Sequence, residues 1–144
     1  MKFEDIQSEW EQDSKIDRTE LGEESLRIPQ LHSKYFKMFS AERTRLRHVE
    51  NEYKTFYRLR YEYYMGVLDP ETLKHYEWEP NPMKILKSDL SIYMESDSVL
   101  QTLQQRIDFQ KEKVELLESI IKHLPNRGFN IKAAIDWTKF QHGT

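Results

Sequence analysis

Cationic side chains recur at helical spacing in the middle of the chain, with tyrosines beside them. At about 100° per residue, a helix gathers four cations, one asparagine and one tyrosine within about 80° of arc: Arg43, Arg47, Asn51, Lys54, Arg58 and Tyr61. Cations spaced along a helix can track the phosphates of a nucleic acid. Aromatic rings next to them can stack on unpaired bases, whose flat faces do not depend on sequence. The pattern is typical of a surface that binds single-stranded nucleic acid.

The same residues also allow a plainer interpretation. Charged helix faces are common and usually just solvated. Aromatic side chains also build cores, and 6 of the chain's 18 aromatic residues fall between positions 53 and 64. Those six are Tyr53, Phe56, Tyr57, Tyr61, Tyr63 and Tyr64. Residue chemistry alone leaves both interpretations open.

A single helix over residues 41–65 would position this basic face. Ser40 is a candidate N-cap, and Gly66 stands where a C-terminal cap belongs. An apolar seam follows the same helix at alternating spacings of three and four: Leu46, Val49, Tyr53, Phe56, Arg60 and Tyr63. Arg60 lies on that seam, about 160° away from Arg58. Arg60 therefore either pairs with an acid inside the assembly or reaches a strand from the edge of the helix.

Composition limits the class of protein. The 144 residues are 33% charged and 38% hydrophobic, below the usual globular share of about 45–50%, so apolar seams left over from a modest core would need a partner. The chain has no cysteine, which excludes disulfides, thiol catalysis and cysteine-bound zinc. It has no long apolar run and no secretion-like start. We expect a soluble intracellular protein with no membrane partner.

Charge is unevenly distributed along the chain. The net charge is −3, but residues 29–66 hold 8 basic and 4 acidic residues. Bulk charge therefore argues against nucleic-acid binding, whereas the central block permits it locally, with salt-sensitive affinity.

The remaining periodicity is helical, so we predict an all-α fold with several helices, two of them long. A short amphipathic helix is expected to end near Asp13. A second helix is expected from near Asp17, with a kink or break at Pro29, and to resume until Ser40. Asp69-Pro70 is expected to open a short helix, and Pro80-Asn81-Pro82 is the clearest boundary.

The C-terminal half contains a coiled-coil-like seam: Leu100, Leu103, Ile107, Gln110, Val114, Leu117, Ile121 and Leu124. Gln110 is the one polar position and could fix the register. Pro125 is predicted to end this helix, followed by a turn at 126–128 and a short apolar helix. A segment this apolar on an otherwise polar chain indicates a surface that binds other subunits.

No enzyme is expected. The sequence lacks the GxxxxGK[ST], GxSxG and HExxH motifs, and its five histidines are scattered. Glu71, His75 and Glu79 share the spacing i, i+4 and i+8, but one helix with one histidine is weak evidence for a metal. We predict no cofactor and no metal.

Two stretches of the sequence, YRLRYEYYMG (57–66) and NRGFNIKAAID (126–136), resemble segments of the UvsY family, the recombination mediator proteins of T-even-type bacteriophages. YRLRYEYYMG (57–66) is similar to that family's signature helix, in which a basic residue, any residue and an arginine precede a tyrosine pair and a glycine. NRGFNIKAAID (126–136) is similar to its C-terminal region, and FEDIQ (3–7) and KID (15–17) are weaker matches. Segment 70–82 departs from the family pattern, so nothing is carried over there.

The resemblance implies a non-enzymatic protein that binds single-stranded DNA as a closed homo-oligomeric ring of six or seven subunits. Its partners would be a phage RecA-like recombinase and a phage single-stranded-DNA-binding protein. It would help the recombinase replace that protein on DNA during recombination and repair, in the cytoplasm of the infected bacterial host.

The resemblance also places Arg58 and Arg60 first among the DNA contacts. Together with the basic face, the predicted DNA-binding residues are Arg58, Arg60, Lys54, Arg47, Arg43, Tyr57 and Tyr61. The predicted oligomerisation residues are Leu117, Ile121, Leu124, Phe129, Ile131, Ile135 and Phe140. One helical subunit would span 1–144, with the DNA-binding helix in an N-terminal region, 1–79, and oligomerisation in a C-terminal region, 83–144.

Two competing hypotheses remain from the sequence. One is a helical coiled-coil scaffold or adaptor protein without nucleic-acid binding. The other, with less support, is a metal-dependent nuclease that uses Glu71, His75 and Glu79.

Overall fold

The computed structural model describes residues 1–81 and 83–143, and over those ranges its regular structure is entirely helical. The helices are α1 (Phe3–Asp13), α2 (Leu21–Met65), α3 (Pro70–His75), α4 (Leu90–Glu95) and α5 (Ser98–Gln141), with a 3-10 turn at Lys87–Asp89. Helices α2 and α5 contain 45 and 44 residues, so the predicted all-α fold with two long helices is confirmed. The predicted boundary around Asn81 includes Pro82, which lies outside the described residues, as does Thr144.

Helix α2 runs without interruption through Pro29. Of the kink or break predicted there, the break does not occur, and the separate helix start predicted at Ser40 is wrong. A proline inside a helix removes one backbone hydrogen bond and crowds the carbonyl four residues earlier. Both Pro29 and Ser25, whose carbonyl loses its partner, lie outside the buried core, so water can solvate that group. Leu31 and Tyr35 are buried in the core, and their packing offsets the cost of the proline.

The start of α2 at Leu21 lies after the predicted start near Asp17. Asp17 forms a local turn instead, because its Oδ1 accepts hydrogen bonds from the Thr19 amide at 2.9 Å and the Thr19 hydroxyl at 2.6 Å. Such side-chain bonds offer the backbone an alternative to the helix. The two hydrogen bonds also lower the pKa of Asp17.

Helix α5 continues through Pro125 and Gly128, so the predicted helix end at the proline and the turn after it are wrong. Buried residues recur at spacings of three and four across this segment: Leu124, Arg127 and Ile131, with exposures of 1%, 3% and 2%. Because this inward face is unbroken, packing maintains the helix where the local sequence predicts an end.

The chain divides into two compact units. Unit 1 comprises Met1–Thr44 and Gln110–Thr144, and unit 2 comprises Arg45–Phe109. The functional regions expected from the sequence, 1–79 for DNA binding and 83–144 for oligomerisation, stay predictions.

Unit 1 has an apolar core to which α1, α2 and α5 all contribute. Its buried residues are Ile6, Leu31, Tyr35, Leu117, Ile120 and Leu124. The Trp10 ring meets the Tyr35 ring edge-on, with 5.4 Å between centroids. An 11-residue helix such as α1 is marginal alone, so these contacts hold it in place.

Buried polar contacts add specificity to this core. Asp13 accepts hydrogen bonds from Arg27 at 2.7 Å, Lys34 at 2.6 Å and the Tyr35 hydroxyl at 2.8 Å. Burial raises the pKa of Asp13, but these donors outweigh it and hold the pKa below its ordinary value of 3.8. The carboxylate therefore stays ionised and fastens the end of α1 to α2.

Two further polar contacts connect α5 with α2 inside unit 1. Arg127 Nη2 lies 2.7 Å from Glu24 Oε2, in a pair that is almost fully buried. The Gln110 side-chain amide donates to the backbone carbonyl of Glu42 at 2.8 Å and to its carboxylate at 2.6 Å. Gln110 is thus the buried polar point of the α5 seam, with a matched partner on α2.

Unit 2 surrounds a smaller core. Leu90, Met94 and Leu100 are buried there, with partly buried aromatic side chains packed against them. Gly66 ends α2 with a φ of 74°, a conformation that glycine adopts without strain. Asp69 caps α3 by accepting a hydrogen bond from the Thr72 amide at 3.0 Å. Both local predictions are confirmed.

Candidate nucleic-acid interface

The basic face of α2 within unit 2 consists of Arg47, Lys54 and Arg58, all of them exposed. Arg47 and Lys54 are seven positions apart, and Lys54 and Arg58 are four apart. The three side chains therefore share one side of a regular helix. Within 1–81 and 83–143, no carboxylate lies inside 4 Å of Arg47 or Lys54, and Arg58 Nε lies 4.0 Å from Glu62 Oε1. The Arg58 side chain is 69% exposed. These charges are available to phosphates.

Two tyrosines border this face. Tyr57 is 46% exposed and Tyr61 is 37% exposed. The Tyr57 ring is tilted against the Tyr53 ring, with 6.2 Å between centroids, so its position is supported by a neighbour. Exposed aromatic rings of this kind are suited to stack on bases.

Arg43 belongs to unit 1 and is considered with that unit. Its side chain is exposed, and its guanidinium lies 5.1 Å from the centroid of the Phe39 ring. This cation–π contact holds the arginine against the helix surface.

Arg60 has a different environment from the other predicted DNA contacts. Its Nε lies 2.7 Å from Asp97 Oδ2, and the two side chains are 10% and 0% exposed. The Tyr64 hydroxyl donates to the same carboxylate oxygen at 2.6 Å. The structure therefore places Arg60 in a buried ion pair within its own chain, the first of the two alternatives that the sequence left open.

Aromatic rings enclose the Arg60 guanidinium. It lies 4.2 Å from the Tyr63 ring centroid and 4.6 Å from that of Trp78. Trp78 in turn stacks on Tyr76 at 4.8 Å, and Tyr76 meets Phe56 at 5.3 Å. Arg60 thus fastens the segment after α3 onto α2.

Asp97 is the partner of Arg60 that sequence reasoning missed. It sits at the start of α5, where its other carboxylate oxygen accepts a hydrogen bond from the Leu100 amide at 2.9 Å. Nothing in the sequence links this acid to Arg60, which is 37 positions away.

The predicted oligomerisation residues fall into two groups. Leu117, Leu124 and Ile131 are at most 2% exposed and lie inside the chain, while Ile121 and Ile135 are half-buried. By contrast, Phe129 is 71% exposed and Phe140 is 75% exposed. Trp137 is 60% exposed and stacks on Phe140 with 5.5 Å between ring centroids. An apolar surface remains at the C-terminal end of α5.

Other kinds of site find little support. Helix α3 ends at His75, so Glu79 does not share that helix with Glu71. In the portion of the chain that the structure describes, no group of three or more histidine and acidic side chains is arranged to hold a metal ion. Over the same residues, no helix is both long and apolar enough to span a membrane.

The chain is similar to proteins of known structure and family. A family model described as "Recombination, repair and ssDNA binding protein UvsY" matches residues 9–144. A crystal structure of the bacteriophage T4 recombination mediator protein UvsY, lattice type II, has a TM-score of 0.84 at 23% identity, covering 99% of this chain and 98% of that one. The lattice type IV structure of the same protein gives 0.84 at 22% identity, covering 97% and 99%. A comparison with curated proteins found no match.

Proposed function

We propose that this chain, which belongs to the UvsY family of recombination, repair and single-stranded-DNA-binding proteins, is a non-enzymatic recombination mediator. In this proposal it binds single-stranded DNA and helps a phage RecA-like recombinase to load onto DNA covered by single-stranded-DNA-binding protein. It acts in the cytoplasm of the infected bacterial host. The observation that carries the proposal is the exposed row of cations on α2.

The DNA contacts divide by chemistry. Arg47, Lys54 and Arg58 are exposed cations at helical spacing and bind phosphates, which makes affinity depend on salt. Tyr57 and Tyr61 stack on bases without sequence preference. Arg43, which lies in unit 1, is proposed as a separate phosphate contact.

Arg60 serves the site indirectly. Its guanidinium is committed to Asp97 and to the surrounding rings, and separating a buried ion pair to reach a phosphate would be costly. In this proposal Arg60 is a positioning residue, which fixes the face of α2 that carries Arg58.

Assembly multiplies the weak contacts of one helix. A closed homo-oligomer, of six or seven subunits by resemblance, would present several basic faces to one strand and gain avidity. The exposed apolar residues Phe129, Trp137 and Phe140 are the surface we assign to subunit contacts. Leu117, Leu124 and Ile131 support this surface from the core of the subunit.

The test is a titration of a labelled single-stranded oligonucleotide at several salt concentrations. Replacing Lys54 and Arg58 by alanine removes two phosphate contacts, so the slope of log affinity against log salt should fall by about 1.4. The matched control is Lys37→Ala with Lys111→Ala, which removes two exposed lysines outside the face. The control should bind like the parent protein.

The outcome separates the two function classes. Loss confined to the Lys54 and Arg58 variant, with oligomer size unchanged by light scattering, supports the mediator proposal. Absence of binding by the parent protein at low salt would instead favour the scaffold or adaptor hypothesis.

A further inference from the structure

A cleft lies beside Arg58, between α2 and α3 in unit 2. Its volume is about 500 Å³, and its lining includes Arg58, Leu59, Glu71, His75 and Tyr76. That volume exceeds the size of a single nucleobase. The cleft opens to solvent next to the exposed guanidinium of Arg58, so a strand bound to the basic face would pass its mouth.

The lining combines one aliphatic and two ring side chains with polar ones, among them Thr55, Asp69 and Thr72. Leu59 is 8% exposed. The His75 and Tyr76 rings meet edge to face, with 4.7 Å between centroids and 85° between planes. Tyr76 is held from behind by Phe56 and Trp78, so this wall is fixed before any ligand arrives. Rigid aromatic and aliphatic walls favour a planar ring as occupant.

Acidic groups in the cleft select against a phosphate in its interior. The Asp69 carboxylate is already engaged, since it accepts from the Thr72 amide at 3.0 Å and the Thr72 hydroxyl at 2.7 Å. Glu71 is exposed, and no cation among the described residues forms an ion pair with its carboxylate. A carboxylate repels a phosphate but accepts a hydrogen bond from a ring N–H or an amino group.

We propose that this cleft receives one nucleobase of the bound strand, with the adjoining phosphate on Arg58. The base lies over Leu59 and against the His75 and Tyr76 rings, and its ring N–H or amino group donates to Glu71. This inference rests on the proposed function, because it assigns a base-binding subsite to the same DNA surface.

Photocrosslinking locates the base directly. An oligonucleotide containing 5-iododeoxyuridine is irradiated with the whole protein, and adducts are mapped by mass spectrometry. The proposal expects adducts on His75 or Tyr76, in addition to any on Tyr57 and Tyr61. Adducts on the latter two alone would overturn it.

Affinity provides the second readout. The variant His75→Ala should bind a base-bearing strand at least about fivefold more weakly, with an unchanged salt slope. Its affinity for an abasic strand of equal length should stay the same. Lys74→Ala, an exposed neighbour on α3, is the control and should match the parent on both strands.

The experiments distinguish a failure of the cleft assignment from a failure of the proposed function. Equal losses on both strands, or no loss on either, would overturn the cleft assignment while the basic face still binds. Absence of binding by the parent protein would overturn the proposed function itself.

Discussion

Arg58 and Arg60 lie two residues apart on one helix and have opposite surroundings. The Arg58 side chain is 69% exposed and has only a carboxylate at 4.0 Å. The Arg60 side chain is 10% exposed and lies 2.7 Å from a fully buried carboxylate. The same type of side chain therefore has two different environments on the two sides of α2.

The difference shows that an arginine's role depends on its solvation and its partner. An exposed guanidinium keeps its donors for an incoming phosphate and contributes little to stability. A buried guanidinium that is paired and enclosed by rings is costly to remove, because its partner would remain buried and unpaired. The basic face is thus available for binding, whereas Arg60 maintains the structure around it.

The largest expected effect is the loss of stability when Arg60 is replaced. Arg60→Ala leaves Asp97 buried without its counter-charge, so we expect the free energy of unfolding to fall by about 3–5 kcal/mol. Arg58→Ala is the matched control and should change it by less than about 0.5 kcal/mol. Urea denaturation measures both. An equal fall in the free energy of unfolding in the two variants would show that Arg58 and Arg60 contribute equally to stability.

A smaller effect is expected at Asp13, the buried acid of unit 1. Asp13→Asn removes the charge that Arg27, Lys34 and Tyr35 share, and should cost about 1.5–3 kcal/mol at neutral pH. Because the folded-state pKa lies below 3.8, this contribution is present above that pH and is lost as the pH falls through the folded value.

Thermal unfolding of the Asp13 variant and the parent protein between neutral and strongly acidic pH measures this effect. The difference in melting temperature between the variant and the parent protein should narrow only below pH 3.8. A difference that stays constant into strong acid would mean that Asp13 does not act through its charge.

The smallest effect on stability is expected at the C-terminal end of α5. Trp137→Ser with Phe140→Ser changes exposed side chains and should alter the free energy of unfolding by less than about 0.5 kcal/mol per site. The same change should shift light scattering towards smaller species. Phe109→Ser, which replaces another exposed phenylalanine, is the control. Oligomers of unchanged size would show that Trp137 and Phe140 do not form subunit contacts.

Local chemistry was sufficient to predict some features. The Gly66 cap and the Asp69 cap depend on residues within one turn, and the structure confirms both. The position of Arg60 on the apolar seam followed from helical geometry alone. By contrast, its pairing with Asp97 required the chain to fold back over 37 positions, which periodicity does not specify.

Pro29 and Pro125 show where local sequence rules fail. Local rules predict a kink or break at Pro29 and a helix end at Pro125, and both residues lie inside continuous helices. The cost of one lost hydrogen bond is offset by buried neighbours such as Leu31 and Leu124. That compensation comes from tertiary packing, so no local pattern could reveal it.

The most direct test of the basic face uses an arginine-selective reagent, phenylglyoxal, with mass spectrometry. Arg47 and Arg58 should react in the free protein and be protected by saturating single-stranded DNA, while exposed Arg18 should react in both states. Arg60 should react in neither. Equal reaction of Arg58 with and without the bound strand would contradict DNA binding through the basic face of α2.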